Sequence, residues 1–235
     1  MIEAEWSAYD TTAEMADAVA GEIGRLIEIA LDARGEAFIA LPGGKTPIPI
    51  FERLAAKKVD WNRVTIIPTD DRLVPITDPL SNVAMIAHHF LPKGARVLPI
   101  VVKETTDYRT AGEAANAKLA DLKWPPDLVW LGVGADGHTA SIFQGPDLED
   151  ALEGPKRRRA VGLMPDPLPA EAPVARITLS RAAILSARAL LLAFSGTEKR
   201  AVVERALRDG PISTTPIGRV LANANVPIEI HWSAT

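Results

Sequence analysis

The sequence predicts an α/β fold, a mostly parallel, twisted sheet with helices on both faces, and three observations carry that prediction. Short apolar runs such as Phe38-Ile39-Ala40-Leu41 and Leu128-Val129-Trp130-Leu131 show no polar alternation, as expected of parallel strands covered on both sides. Segments with helical apolar spacing stand between many of these runs. No Gly/Ser-rich linker, internal repeat or low-complexity tract interrupts the 235 residues, so a single domain over 1–235 is expected.

Taken in order, Ile2, Ala4, Trp6 and Ala8 alternate with polar neighbours and predict a short opening strand. Asp10-Thr11-Thr12 offers N-caps to a helix over 13–33, whose Met15, Val19, Ile23, Leu26, Ile27 and Ala30 share one face and which Gly35 closes. Further strands are expected at 37–41, 64–67, 97–102, 127–133, 160–164, 175–179, 189–194 and 226–232. Helices are expected at 48–57, 82–90, 108–122 and 196–208. The proline-rich stretch 165–173 (PDPLPAEAP) favours extended backbone and reads as a surface excursion between two strands. The run 156–159 (KRRR) reads as a solvated loop.

Composition removes several function classes. There is no cysteine, which excludes disulfides, thiolate zinc sites and cysteine nucleophiles. A net charge of −4 gives no general attraction to nucleic acid or anionic membrane. The opening MIEAEWSAYDTTAEM lacks the basic and apolar regions of a secretory leader, and no apolar run approaches the ~18–20 residues of a membrane span. A cytoplasmic protein without nucleic-acid or membrane partners is the expectation.

Ligands of open α/β sheets sit beyond the carboxyl ends of the strands, so the residues after each strand carry the functional reading. After 37–41 come Pro42-Gly43-Gly44-Lys45-Thr46-Pro47. Two glycines permit close backbone approach, Thr46 is suited to cap the next helix, and Lys45 adds positive charge to its N-terminus. Two readings fit: an ordinary capped turn, or an anion cradle. After 64–67 come Asp70-Asp71-Arg72, then Ser81-Asn82 at a helix start. Arg72 suits a phosphate or carboxylate, and equally an ion pair with Asp70 or Asp71.

After 127–133 the chain reads Gly134-Ala135-Asp136-Gly137-His138-Thr139-Ala140-Ser141. Gly132, Gly134 and Gly137 match the letters of a dinucleotide fingerprint, but not its place after the first strand of a βαβ unit with an acid ending the second. What remains is a glycine-rich turn near an expected helix start, presenting Asp136 and His138. An imidazole suits general-base work near neutral pH, and a carboxylate suits its orientation. His88, His89 and His231 show no metal-ligand spacing. Lys199, in the first turn of the helix after 189–194, opposes the helix dipole unless an anion shares the site.

Gly43-Gly44-Lys45-Thr46-Pro47, Asp70-Asp71-Arg72-Leu73-Val74-Pro75, Ser81-Asn82, Gly134-Ala135-Asp136-Gly137-His138-Thr139-Ala140-Ser141-Ile142-Phe143, Arg176-Ile177-Thr178 and Gly196-Thr197-Glu198-Lys199 stand in the order found in 6-phosphogluconolactonases. The chain resembles that family over roughly residues 36 to 205. The resemblance implies a Rossmann-like fold of the sugar-phosphate isomerase and deaminase type. It also implies hydrolysis of 6-phosphogluconolactone to 6-phosphogluconate in the pentose phosphate pathway, with no metal or organic cofactor, by a monomer or small homo-oligomer. On this resemblance His138 is the general base with Asp136 beside it, and Gly43, Gly44, Lys45, Thr46, Asp70, Arg72, Asn82, Arg176 and Lys199 bind substrate. Three positions depart from the pattern: Lys45 for a small Ser, Asp71 for Glu, and Ser186 for an Asn after the Arg-Ile-Thr strand.

Two alternatives stay open at this point. A glucosamine-6-phosphate deaminase/isomerase on the same scaffold typically carries DGHIAFNE, with a carboxylate soon after the histidine; here Thr139-Ala140-Ser141-Ile142-Phe143-Gln144 follows. A sugar-phosphate sensor domain would bind without turnover, but such modules usually accompany a DNA-binding domain, for which no room precedes the first strand.

Overall fold

In the computed structural model of the chain, which describes residues 2–102 and 105–235, the strands β1 (Glu5–Tyr9), β2 (Ala37–Leu41), β3 (Val64–Pro68), β5 (Arg96–Val97), β6 (Leu128–Leu131), β9 (Leu190–Ser195) and β10 (Ile228–Ser233) form one sheet. Its order is β1-β10-β9-β6-β2-β3-β5, and every pairing in it is parallel. Ile39 and Leu41 of β2 enter a core cluster with Met15, Phe51 and Phe90, whereas Phe38 and Ala40 enter a second cluster on the other face. Leu128 and Trp130 of β6 divide from Val129 and Leu131 in the same way. With both faces of these central strands covered, neither side calls for polar residues, which is the physical reason for their unbroken apolar runs.

The first cluster is covered by α1 (Thr12–Arg34), α2 (Ile48–Ala55) and α3 (Asn82–Phe90). Thr11 caps α1, accepting from Glu14 N at 3.2 Å while Glu14 reaches back to Thr11 N, and Gly35 closes it at φ 75°. The opposite face carries α4 (Tyr108–Ala120), α7 (Thr197–Asp209) and a three-stranded antiparallel sheet of β4 (Asp70–Arg72), β8 (Arg176–Leu179) and β7 (Ala160–Leu163), in that order.

This second sheet corrects the expectation that 160–164 and 175–179 join the parallel sheet: they pair with each other and with β4, a strand too short and too charged to be read from pattern. The expected strand over 97–102 shrinks to Arg96–Val97, with Leu98 N still donating to Ile66 O at 2.9 Å before Pro99, which has no N–H to give, turns the chain away. Three helices of five or six residues, α5 (Leu148–Leu152), α6 (Arg181–Leu185) and α8 (Pro216–Leu221), fall below the length at which a period can be counted. Of the expected solvated KRRR loop, Arg159 turns inward and stacks its guanidinium 4.6 Å from the Trp124 ring centre. No helix among the described residues is long and apolar enough to cross a membrane.

At the centre of the large sheet β2 and β6 are neighbours, but the chain leaves them in opposite directions, β2 toward β3 and β6 toward β9. The loops beyond their carboxyl ends therefore separate and leave a crevice at the switch point.

Candidate active site

That crevice is a cleft of about 480 Å³. Its walls include Gly43, Gly44, Lys45 and Thr46 after β2, Asp70 and Arg72 of β4, Asn82 of α3, His138 after β6, and Lys199 of α7. Thus nine residues singled out from the sequence, drawn from five segments, meet at one place. Trp130 and Ala193, both buried, also line it.

The turn after β6 holds His138 in a defined state. Asp136 Oδ1 lies 2.6 Å from His138 Nδ1 and also accepts from His138 N at 3.1 Å. The hydrogen bond from His138 keeps the Asp136 carboxyl below its ordinary pKa, so it is ionised at neutral pH and acts only as an acceptor. Nδ1 must then carry the proton, which leaves the Nε2 lone pair available as a base. Phe143 stacks on the ring with centroids 4.3 Å apart and fixes its plane. Gly134 is required here: a Cβ on it would collide with the His138 ring and with Asp136 Oδ1. No helix follows directly, contrary to expectation. The turn closes on itself through Gly134 N to His138 O and Gly137 N to Gly134 O, and the next helix waits until Leu148.

The positive side of the cleft rests on the β4–β8 ladder. Arg72 and Arg176 are directly opposed in the antiparallel register, so their side chains share one face of the small sheet. Two like charges placed so are unfavourable unless something negative joins them. The neighbouring acids are committed elsewhere. Asp71 accepts from Asn82 N at 2.7 Å and Val83 N at 3.0 Å, capping α3, while burial pushes its carboxyl up to about 6. Asp70 accepts from Ser141 Oγ at 2.6 Å and Thr69 Oγ1 at 3.1 Å. The ion pair considered for Arg72 with either acid does not form. Arg72 Nη1 donates to Leu80 O at 2.7 Å, Arg176 Nη2 donates to Ala172 O at 2.8 Å, and the Nε of both is buried without a partner among the described residues. Burial lowers the Arg176 pKa, and the Arg72 charge lowers it further.

Several expected roles change in detail. Thr46 does not cap α2; Pro47 is the cap residue and no side chain bonds to the helix end. The first turn of α2 is closed by backbone alone, Ile48 N donating to Lys45 O at 3.3 Å and Ile50 N to Pro47 O at 3.0 Å, beside Gly44, which holds φ 94°. Asn82 is largely committed, its Nδ2 donating to Asp70 O at 2.8 Å, and its amide fills the space where a Gly43 Cβ would stand. Arg176 is 3% exposed and stands beside Arg72 in the ladder, off the cleft wall. Ser186 is remote from the cleft; its hydroxyl accepts from Trp124 Nε1 at 2.7 Å and donates to Ala183 O at 2.6 Å. Lys199 occupies the third position of α7, whose start at Gly196 has no side-chain cap.

Sequence reasoning missed Ser141, which ties the His138 loop to Asp70, and Glu171, an exposed carboxylate that the 165–173 loop brings to the cleft. Ser141 lies within the His138 motif, but its bond to Asp70 joins distant parts of the sequence and leaves no local signal. Glu171 had none, since a glutamate among prolines reads as solvated. Among the described residues no group of three His, Asp or Glu side chains is placed to hold a metal ion.

The chain is similar to known proteins over nearly its whole length. Residues 10–232 match the family model described as glucosamine-6-phosphate isomerases/6-phosphogluconolactonase. A 6-phosphogluconolactonase of Mesorhizobium japonicum is 35% identical over 236 aligned positions, covering 97% of this chain and 94% of that protein. The crystal structure of a 6-phosphogluconolactonase from Shewanella baltica superposes with a TM-score of 0.89 at 32% identity, covering 99% of this chain and 98% of that one. The 6-phosphogluconolactonase structure from Trypanosoma brucei gives 0.86 at 27% identity, covering 99% and 97%.

Proposed function

The chain belongs to the glucosamine-6-phosphate isomerase/6-phosphogluconolactonase family, and from that premise we infer that it is a 6-phosphogluconolactonase, a hydrolase that opens 6-phospho-D-glucono-1,5-lactone to 6-phosphogluconate in the pentose phosphate pathway. One observation carries the mechanism: an oriented imidazole shares a cleft with Lys45, Arg72 and Lys199, none of which enters a salt bridge among the described residues.

His138 is the general base. Water beside Nε2 attacks C1 of the lactone as the imidazole takes its proton; the C1–O5 bond then breaks, and the imidazolium returns the proton to the departing ring oxygen. Asp136 holds the ring in the required tautomer and stabilises the imidazolium between the two transfers. Arg72 and Lys199 hold the phosphate, with the charge of Arg176 beside Arg72 reinforcing the field and the open turn at Gly43, Gly44, Lys45 and Thr46 offering backbone N–H groups. Asp70 and Asn82 shape the wall between these groups rather than donate charge to the substrate. A lactone is an activated ester, so orientation plus one proton carrier is enough chemistry.

The enzyme acts as a single α/β domain, a monomer or small homo-oligomer, on a small cytoplasmic substrate. Its net charge of −4 supports a partner other than nucleic acid. A coupled assay on freshly made 6-phosphogluconolactone, with spontaneous opening subtracted, tests the reading: turnover well above background is expected, and ammonia release from glucosamine 6-phosphate is not.

A further inference from the structure

The lactonase reading accounts for the cations of the cleft but leaves one acid without a task. Glu171 lines the same cleft as Lys45, Arg72 and Lys199, yet it enters no ion pair or hydrogen bond among the described residues. Its backbone is not loose. Arg176 Nη2 donates to the neighbouring Ala172 O at 2.8 Å, Val174 N donates to the same carbonyl at 2.9 Å, and Ala172 N donates to Pro169 O at 3.1 Å. Leu73 N then ties Ala175 O to the end of β4 at 2.8 Å, and Ala172 itself is buried. A buried arginine thus anchors the segment that carries the carboxylate into the cleft.

An acid so placed opposes a phosphate by simple Coulomb repulsion, which makes its presence costly unless it makes a favourable contact of its own. The lactone supplies one kind of partner. Its ring hydroxyls are donors, and an ionised carboxylate is the strongest acceptor a side chain offers. Position selects among those hydroxyls. The residue next to Glu171, Ala172, is bonded through its carbonyl to Arg176 at 2.8 Å, and Arg176 stands opposite Arg72 at the phosphate end, whereas His138 marks C1. The ring hydroxyl nearest the phosphate-bearing arm is the one on C4.

We propose that Glu171 accepts a hydrogen bond from the C4 hydroxyl of the lactone and so selects substrates by configuration at that carbon. This assignment rests on the lactonase reading and on the phosphate lying at Arg72. The test compares wild type with Glu171→Ala on 6-phosphogluconolactone and on its 4-deoxy and 2-deoxy analogues. Glu171→Ala lowers kcat/KM roughly 10- to 100-fold for the parent and the 2-deoxy lactone, and leaves the 4-deoxy lactone unchanged. An equal fall on all three, a gain on all three, or loss of the effect with the 2-deoxy lactone instead would overturn the assignment. A wild-type protein inert toward every lactone would sink the lactonase reading, and this inference with it. An active wild type that Glu171→Ala does not alter sinks the inference alone.

Discussion

The two ends of the parallel sheet both gather arginines around aspartates, and they treat the charges in opposite ways. At the amino ends of the strands, Asp127 accepts from Arg34 Nη2 at 2.7 Å and from Phe38 N at 2.8 Å, with Arg188 Nε 3.3 Å away, and Lys123 pairs with Glu36 at 2.5 Å. Charge there is matched, and the cluster pins β2 to the start of β6. At the carboxyl ends, the acids are taken by a helix start and by hydroxyls, while Lys45, Arg72 and Lys199 face the cleft and the Nε of Arg72 and Arg176 stay unpartnered. A buried N–H without an acceptor is destabilising, so the protein maintains these two Nε groups at a cost to its own stability. Matched charge marks structure, and unmatched charge of one sign marks a site awaiting the other sign.

Substitutions at the two ends should therefore separate activity from stability. The largest effect is expected from His138→Ala, which lowers kcat by about 10²- to 10⁴-fold while leaving KM within a few-fold and the melting temperature close to wild type. Steady-state kinetics after subtraction of spontaneous hydrolysis give the answer, and near-normal turnover would remove the base assignment. Arg72→Ala comes next. It raises KM for the phosphorylated lactone roughly 10- to 100-fold and leaves hydrolysis of unphosphorylated glucono-1,5-lactone as it was; an equal loss on both substrates would mean that Arg72 is structural, like Arg34.

At the other end, Asp127→Asn takes the charged acceptor from Arg34, Arg188 and Phe38 N. It should lower stability by about 1–2 kcal/mol, read by denaturant unfolding, with kinetics unchanged at temperatures where the protein stays folded. The smallest effect concerns His231, which is 6% exposed and accepts or donates one hydrogen bond, to Tyr9 Oη at 2.9 Å, through Nδ1. Burial lowers its pKa. Between that lowered value and about 6.5 the unfolded chain binds more protons than the folded one, so stability declines as pH falls through about 6.5. His231→Gln should flatten this part of the stability–pH curve, and a curve of unchanged slope would show that other groups set it.

The sequence made the central strands legible because β2, β3 and β6 are buried on both faces, and α1 because its capping box and closing glycine are local features. The small antiparallel sheet was not legible. Asp70-Asp71-Arg72 has no strand pattern of its own and pairs only because Arg176-Ile177-Thr178 arrives beside it from a hundred residues away. The candidate site followed the same division. His138, Arg72 and Lys199 were visible as polar residues after apolar runs, where a core would want none. Thr46 reads as a cap because its residue type suits one, although Pro47 takes that place. Arg176 reads as a substrate contact, and only register and burial show it beside Arg72 and off the cleft wall. Glu171 reaches the cleft only through a loop that the distant Arg176 holds.

The decisive measurement is the hydrolysis of freshly prepared 6-phosphogluconolactone beside glucono-1,5-lactone by the same wild-type protein, each corrected for its spontaneous rate. If the unpaired cations exist to receive a phosphate next to His138, kcat/KM favours the phosphorylated lactone by at least about 10²-fold, on the order of one or two charged hydrogen bonds. Equal rates on the two lactones, or no acceleration of either, would contradict the account.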